Sequence, residues 1–141
     1  MRITGGKWKG RRLKAMKSFK GRPTTDFARE GLFNLLRSRL ELEGARVLDL
    51  FAGTGMVGIE CISRGAVSVV AVEKQRLACN YIKSCYNMLD FTEASVINAS
   101  VFSILETVSV RMGTKFDLVF ADPPYDLKNL NEIPSKVMDS G

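Results

Sequence analysis

From residue 46 onward, the chain alternates short runs of β-branched residues with segments whose apolar residues recur at helical spacing. The strand-like runs read RVLDLF, VSVVAVE, ASVIN and FDLVFAD. Helical patterns lie between them, near 56–64, 75–89 and 101–111. This alternation is typical of βαβ units, which build a parallel sheet with helices on both faces. The sequence therefore predicts an α/β fold.

The composition is that of one soluble domain. The chain has 141 residues, and no apolar stretch approaches the roughly 20 residues that span a bilayer. The basic N-terminus also leads into no signal-like apolar segment. Cys61, Cys79 and Cys85 fit no zinc motif, and the chain has no histidine. We expect a cytoplasmic protein with buried, reduced cysteines, no metal, and chemistry that needs no histidine base.

Positive charge is concentrated at the N-terminus. Residues 1–22 hold nine of the 21 basic residues and no acid, whereas residues 23–141 hold 12 basic and 15 acidic residues. Apolar residues interleave with these charges and can anchor the segment to the rest of the chain. We interpret residues 1–22 as a basic arm that binds a polyanion, with RITGGKWKGRRLK as a hairpin turning at Gly5 and Gly6. A solvated tail is the alternative interpretation.

A helix is predicted directly after the arm. Thr24 or Thr25 can cap it, and it should end before Gly44. The apolar residues of this segment recur at helical spacing; they are Ala28, Leu32, Leu35, Leu36 and Leu40.

The first strand runs into the glycine-rich segment DLFAGTGMVG. Its glycines let the backbone turn tightly, so that a ligand can approach the N-terminus of the following helix. Gly53, Gly55 and Gly58 also fit G-x-G-x-x-G. The loop alone therefore does not separate NAD from another adenosine-bearing cofactor.

Two strand-end carboxylates refine this interpretation. Asp49 would crowd a pyrophosphate, so it disfavours NAD and suits a cofactor that has a cationic amino group. Glu73 ends VSVVAVE and can accept hydrogen bonds from both hydroxyls of a ribose, with either class of cofactor. A carboxylate that caps the next helix is the structural alternative for Glu73.

The fourth strand ends in DPPY, at the edge of the sheet where parallel α/β folds bind ligands. Two successive prolines fix the backbone, so Asp122 and the Pro123 carbonyl are held outward. These two acceptors fit a planar amine with two N–H donors, and Tyr125 offers a flat face to its base. Binding both hydrogens leaves the nitrogen lone pair aimed at an electrophile, so positioning and electrostatics could drive the reaction. A rigid turn with a packed tyrosine is the alternative.

DLFAGTG, VEK and DPPY, in this order and spacing, resemble a class I S-adenosylmethionine-dependent methyltransferase that modifies amino groups. MRITGGKWKGRRLK followed by RPTTDFAREGLFNLL is similar to the RsmD family, bacterial methyltransferases that modify a guanine N2 in small-subunit (16S) ribosomal RNA. The resemblance covers nearly the whole chain. It implies a basic RNA-contacting arm at 1–22, a cofactor-binding methyltransferase domain at 23–141, and a cytoplasmic monomer that acts on ribosomal RNA within a particle.

The resemblance also implies roles for individual residues. The catalytic residues would be Asp122, Pro123 and Tyr125, which grip and stack on a guanine turned out of its RNA helix. The cofactor would be S-adenosylmethionine, bound by Asp49, Phe51, Ala52, Gly53, Thr54, Gly55, Glu73, Lys74, Ser100 and Asp122. Ribosomal RNA would be bound by Arg2, Lys7, Lys9, Arg11, Arg12, Arg22 and Thr24. Thr24, Asp26 and Arg29 would shape the rim of the site, or would serve only to cap the helix.

The chain departs from the family pattern in two places. In INASVF, Ser100 stands where the family usually has an aspartate that accepts the adenine amino group. The class I fold also normally has seven strands, whereas about 16 residues follow DPPY here. We therefore expect a Rossmann-like sheet of order 3-2-1-4 without the last three strands, plus the N-terminal β-hairpin. Strand four would be an edge, so either the chain is truncated or another element covers that edge.

Three other functions remain open from the sequence. An amino-methylase of adenine or cytosine would use the same chemistry on another base. A non-catalytic RNA-binding fragment would use the arm and transfer nothing. An NAD-dependent oxidoreductase is favoured only by GTGMVG and is disfavoured by Asp49 and DPPY.

Overall fold

The structure, a computed structural model, describes residues 1–16, 24–105 and 115–123. A short 3-10 helix covers Gly6–Trp8. The α-helices are α1 (Asp26–Arg37), α2 (Met56–Ser63), α3 (Arg76–Met88) and α4 (Val101–Leu105), and the strands are β1 (Arg46–Leu50), β2 (Ser68–Glu73), β3 (Ala94–Asn98) and β4 (Leu118–Ala121). The strands form one parallel sheet in the order β3-β2-β1-β4, which confirms the α/β fold and the predicted strand order.

Alternate residues of β1 face opposite sides of the sheet, as the pleat of a strand requires. Val47 is fully buried and packs in a cluster with Ile59 of α2 and Ile82 of α3. Leu48 and Leu50 pack on the opposite face, in the cluster that includes α4. Apolar clusters on both faces explain why the strands read as nearly continuous apolar runs.

The predicted strands and helices lie close to the observed ones, except where they leave the described residues. The second half of the helix predicted near 101–111, with Gly113 as its stop, lies outside them. Four strands lie within the described residues, and β4 is an edge of the sheet there. Residues 124–141 lie outside, and so do Tyr125 and Arg22.

Helix α1 begins as predicted and also buries a charged residue that its apolar spacing did not indicate. The Thr25 side chain caps it by accepting from the Ala28 N–H at 3.1 Å. Of the five apolar positions, Leu32, Leu36 and Leu40 pack against the core, whereas Ala28 is exposed and Leu35 is 69 % exposed. Arg29 and Phe33 are buried as well. Arg29 is buried because it forms an ion pair with Glu60 of α2 in the interior.

The structure does not confirm the N-terminal β-hairpin. Arg2 and Arg12 form an isolated antiparallel bridge, and no strand is assigned to this segment. The chain makes no tight turn at Gly5, which is extended with φ −155°. The Ser63 hydroxyl donates to the Gly5 carbonyl at 2.6 Å, and the Trp8 N–H donates to the Ser63 hydroxyl at 3.0 Å. These bonds to α2 replace the predicted turn with a longer loop that contains the 3-10 helix.

The cysteine prediction is confirmed. All three cysteines are free and buried. Burial raises the pKa of each thiol above its usual range. Thiols of this kind are poor nucleophiles near neutral pH, because the thiolate is the reactive form.

Candidate active site

Three carboxylates lie near the edge of the sheet where the strands end, and one of them, Asp49, is buried just inside that edge. Asp49 lies near the end of β1, Glu73 ends β2, and Asp122 follows β4. Leu50 pairs with Val72 on one side and with Ala121 on the other, so these strand ends are neighbours. The negative charges of Glu73 and Asp122 both act on Asp49 and help to raise its pKa. The edge is therefore a local concentration of negative charge.

The loop between β1 and α2 turns tightly because several of its residues have positive φ. The φ angle is 55° at Phe51, 61° at Gly53 and 76° at Gly55. The Ala52 N–H donates to the Val72 carbonyl at 3.0 Å, which ties the loop to β2. A Cβ on Gly55 would lie 2.7 Å from Cγ1 of Ile82, so the loop packs closely on α3. This geometry places the main-chain atoms of Gly53 and Gly55, which carry no side chain, directly before α2.

Gly55→Ala is expected to lower the free energy of unfolding by about 1–3 kcal/mol, through the strain of positive φ and the contact with Ile82. Urea unfolding measures the loss. Gly44→Ala is the matched control, because Gly44 has a φ of +79° and nothing within 4 Å of its ideal Cβ. The control isolates the strain of positive φ, so equal losses in the two variants would show that the contact with Ile82 costs nothing.

Glu73 joins the glycine-rich loop to the start of α3. One carboxylate oxygen, Oε2, accepts from the Gly53 N–H at 2.7 Å. The other, Oε1, accepts from the N–H groups of Lys74 and Gln75 at 3.0 and 3.1 Å. Gln75 is the residue that precedes α3, so the structural alternative of helix capping is observed. Oε2 keeps a second lone pair that can accept from one ligand hydroxyl, whereas both lone pairs of Oε1 are already used.

Asp49 lies behind the loop rather than in the open edge. The residue is 1 % exposed, and the Gly58 N–H donates to its carboxylate. Its Oδ2 atom has no hydrogen-bond partner among the described residues. Desolvation by burial raises its pKa to about 7, with further contributions from Glu73 and Asp122. A carboxyl group with this pKa gains or loses its proton near neutral pH.

The DPPY segment is described as far as its first proline. Asp122 is exposed and Pro123 is half-buried, directly after β4. Asp122 therefore stands free at the carboxyl edge, where the sequence placed it. The predicted stacking by Tyr125 stays a prediction, because that residue lies outside the described part of the chain.

Other predicted cofactor residues surround the same edge. Thr54 is buried, and Lys74 is exposed just after β2. Ser100 is exposed, and its carbonyl accepts from the Ile104 N–H at 3.2 Å, so it precedes α4. Asn98 was missed from the sequence, although it is the polar end of ASVIN. Its amide donates to the carbonyls of Glu73 and Lys74 at 3.1 and 2.8 Å and so links β3 to β2.

The arm presents its charges to solvent while its apolar residues hold it down. The basic RNA candidates among the described residues are all exposed; they are Arg2, Lys7, Lys9, Arg11 and Arg12. Ile3 is 0 % exposed and Leu13 is 3 % exposed, so both belong to the core. Thr24 is half-buried, and its carbonyl accepts from Arg29 at 3.4 Å. The arm is therefore an anchored basic surface.

A buried ion-pair cluster fastens the arm, and sequence reasoning missed its centre. Glu60 of α2 is 0 % exposed and accepts from the N–H and hydroxyl of Thr4 at 2.6 and 2.8 Å. It also accepts from Arg29 at 3.2 Å and from Arg64 at 3.1 Å. Arg29 further donates to Asp26 at 2.6 Å and to the Arg2 carbonyl. Asp26 and Arg29 therefore help to hold the arm. The available sequence signal for this cluster was Glu60, the single acidic residue within the apolar segment MVGIECIS.

The described residues contain neither a membrane-spanning helix nor a metal-binding group of side chains. None of the helices within 1–16, 24–105 and 115–123 combines the length and hydropathy of a membrane span. Those same residues hold no group of three or more side chains that could bind a metal ion.

Known proteins share this sequence and fold. Residues 1–141 match a protein family described as Conserved hypothetical protein 95. The ribosomal RNA small subunit methyltransferase D of Escherichia coli strain K12 is 36% identical over 141 residues, covering 100% of this chain and 68% of that protein. The putative rRNA methyltransferase YlbH of Bacillus subtilis is 35% identical over 133 residues, covering 94% and 71%. The solved structure of the putative methyltransferase yhhF from Escherichia coli matches with a TM-score of 0.85 at 34% identity, covering 100% of this chain and 73% of that one.

Proposed function

We propose a function for this chain on the premise that it belongs to the Conserved hypothetical protein 95 family, the family of the ribosomal RNA small subunit methyltransferase D proteins. The chain transfers a methyl group from S-adenosylmethionine to the exocyclic N2 amine of a guanine in small-subunit (16S) ribosomal RNA. It acts in the cytoplasm as a monomer, on RNA within a ribosomal particle. Family membership supports methylation of ribosomal RNA, and the choice of guanine N2 rests on the resemblance to the RsmD family, because the site would fit any exocyclic amine of a base.

The observation that carries the proposal is the convergence of the glycine-rich loop, Glu73 and Asp122 at one edge of the sheet. These groups fit S-adenosylmethionine, which has hydroxyl donors on its ribose and a cationic amino group. Glu73 keeps one free lone pair, on Oε2, for a ribose hydroxyl, and Asp49 has a buried oxygen without a partner among the described residues. When bound, the cofactor supplies an electrophilic methyl group on a sulfonium.

Different residues of the chain bind different parts of this cofactor. The loop residues 51–55 give close backbone approach, because Gly53 and Gly55 have no side chain. Glu73 holds the ribose, and its bond to the Gly53 N–H fixes that carboxylate relative to the loop. Lys74 and Ser100 lie at the adenine end, where the Ser100 hydroxyl accepts from the exocyclic amine.

The amine of the target guanine is held by two acceptors. Asp122 is exposed at the end of β4 and accepts one N–H, and the Pro123 carbonyl accepts the other. This arrangement orients the nitrogen lone pair and stabilises positive charge as it develops on the nitrogen. Asp122 also faces the bound cofactor, and Tyr125 stacks on the flipped base.

The basic arm holds the RNA backbone, as the exposure of its cations supports. Replacing Lys7, Lys9, Arg11 and Arg12 together with glutamine is expected to reduce the slope of log affinity against log salt by about 3, because about four phosphate contacts are lost. Filter binding to small-subunit RNA across a salt series measures the slope. The matched control changes four exposed cations elsewhere to glutamine, Arg39, Arg76, Lys83 and Lys115. Equal slopes in the two variants would assign the effect to net charge rather than to the arm.

Transfer of a labelled methyl group tests the proposal. The chain is incubated with labelled S-adenosylmethionine and with small-subunit RNA, either free or assembled into particles. We expect label in the RNA, and calorimetry should show binding of S-adenosylmethionine but not of NADH. Label on adenine or cytosine would favour an amino-methylase of another base. RNA binding without transfer would indicate a non-catalytic fragment, and NADH binding would favour an oxidoreductase.

A further inference from the structure

Two buried side-chain oxygens have no hydrogen-bond partner among the described residues: Oδ2 of Asp49 and Oη of Tyr86. Asp49 lies on β1 and Tyr86 on α3, which packs on the same face of the sheet. Both oxygens border Gly58 of α2, where a Cβ would lie 3.4 Å from Asp49 Oδ2 and 3.6 Å from Tyr86 Oη. Because Gly58 has no side chain, both oxygens border the position that a Cβ would take, together with Cγ1 of Val69 at 2.9 Å.

The two groups are chemically complementary. Tyr86 is 4 % exposed, and burial followed by the nearby charge of Asp49 raises the pKa of its hydroxyl. The hydroxyl therefore stays protonated and is a donor. Asp49 Oδ2 is an acceptor that is costly to bury unpaired. One water that accepts from the Tyr86 hydroxyl and donates to Asp49 Oδ2 would satisfy both atoms.

We propose that Tyr86 is a positioning residue for the cofactor site. Its hydroxyl donates to one bridging water that in turn donates to Asp49 Oδ2, and the water-mediated bond holds Asp49 as an anion behind the glycine-rich loop. The inference rests on the proposed function, because the anion favours the cationic amino group of S-adenosylmethionine. Tyr86 lies outside DLFAGTG, VEK and DPPY, so no motif points to it.

The groups around Asp49 show why such a donor matters. From β2 and from the end of β4, Glu73 and Asp122 disfavour the anion, and burial disfavours it most. From α2, the Gly58 N–H favours the anion, while the Cys61 thiol is neutral because burial raises its pKa. Tyr86 is the facing group from α3. Its hydroxyl thus adds to the single stabilising bond from Gly58.

Tyr86→Phe tests the inference because it removes one oxygen and keeps the ring. Calorimetry at pH 6 to 9 should show that S-adenosylmethionine affinity rises with pH around a midpoint near 7 in the wild type. The variant should move that midpoint up by about one unit and weaken binding at neutral pH by up to about tenfold. Tyr81→Phe is the matched control on the same helix, since its hydroxyl donates to the Lys14 carbonyl, and it should leave the midpoint unchanged. A midpoint that is the same in Tyr86→Phe and the wild type would overturn the proposal.

Carbon NMR without any cofactor separates this inference from the proposed function. The Asp49 carboxyl should titrate at a higher pH in Tyr86→Phe than in the wild type. In the wild type, the ring carbon that bears the Tyr86 hydroxyl should shift with the same midpoint as Asp49, a result that does not depend on the variant folding. Both NMR results with no cofactor binding would support the bond and refute the proposed function. Cofactor binding together with a Tyr86 resonance that does not shift as Asp49 titrates would refute the bond and leave the proposed function standing.

Discussion

Asp122→Ala is expected to reduce methyl transfer to small-subunit RNA by about 10²- to 10³-fold, with a much smaller loss of cofactor affinity. Asp122 is exposed at the end of β4, beside the edge that holds the glycine-rich loop and Glu73. In the proposed reaction it accepts a hydrogen of the guanine amine and stabilises the charge that develops there. Single-turnover assays with saturating cofactor separate the transfer step from binding.

Two further variants sharpen the test of Asp122. Asp122→Asn keeps one acceptor oxygen and removes the negative charge, so it should fall between the wild type and alanine. Glu41→Ala removes another exposed carboxylate, in the segment between α1 and β1, and should leave transfer unchanged. Full activity in Asp122→Ala would show that this carboxylate takes no part in the chemical step.

Glu60→Ala is expected to lower the free energy of unfolding by about 3–5 kcal/mol. Glu60 is 0 % exposed and accepts hydrogen bonds from Thr4, Arg29 and Arg64. Its loss leaves the guanidinium of Arg29, also 0 % exposed, without its buried counter-ion. Urea unfolding followed by circular dichroism measures the change.

Asp26→Ala is the matched control within the same cluster. Asp26 also pairs with Arg29, but its side chain is 39 % exposed, so water can replace much of the lost interaction. We expect a loss of about 1 kcal/mol or less. If Asp26→Ala destabilises the protein as much as Glu60→Ala does, then burial does not set the strength of these pairs.

The strand order could be predicted because it depends on local sequence patterns that are strong here. Runs such as VSVVAVE are β-branched and apolar, and the helical segments between them enforce parallel crossovers. Predicting the N-terminal segment was harder, because its shape depends on contacts far away in sequence. Thr4 meets Glu60 across 56 residues, and Ser63 meets Gly5 across 58. Such contacts override the turn preference of Gly5 and Gly6.

The same limit applies to the candidate site. The sequence placed Asp49, Glu73 and Asp122 at strand ends, and the structure brings those ends together. It did not reveal that Asp49 would lie behind the loop, because that depends on how α2 and α3 pack on β1. The burial of Arg29 in α1 was not predicted for a similar reason, since its side chain reaches inward to Glu60. Side-chain burial follows tertiary packing, which periodicity describes only in part.

The most direct test of the central claim is the identity of the methylated nucleoside. Small-subunit RNA is incubated with the chain and S-adenosylmethionine, digested to nucleosides, and analysed by mass spectrometry against standards. The proposed function predicts guanosine methylated at N2, absent when Asp122→Ala replaces the wild type. Methyl groups found only on another base, or on another atom of guanine, would contradict it.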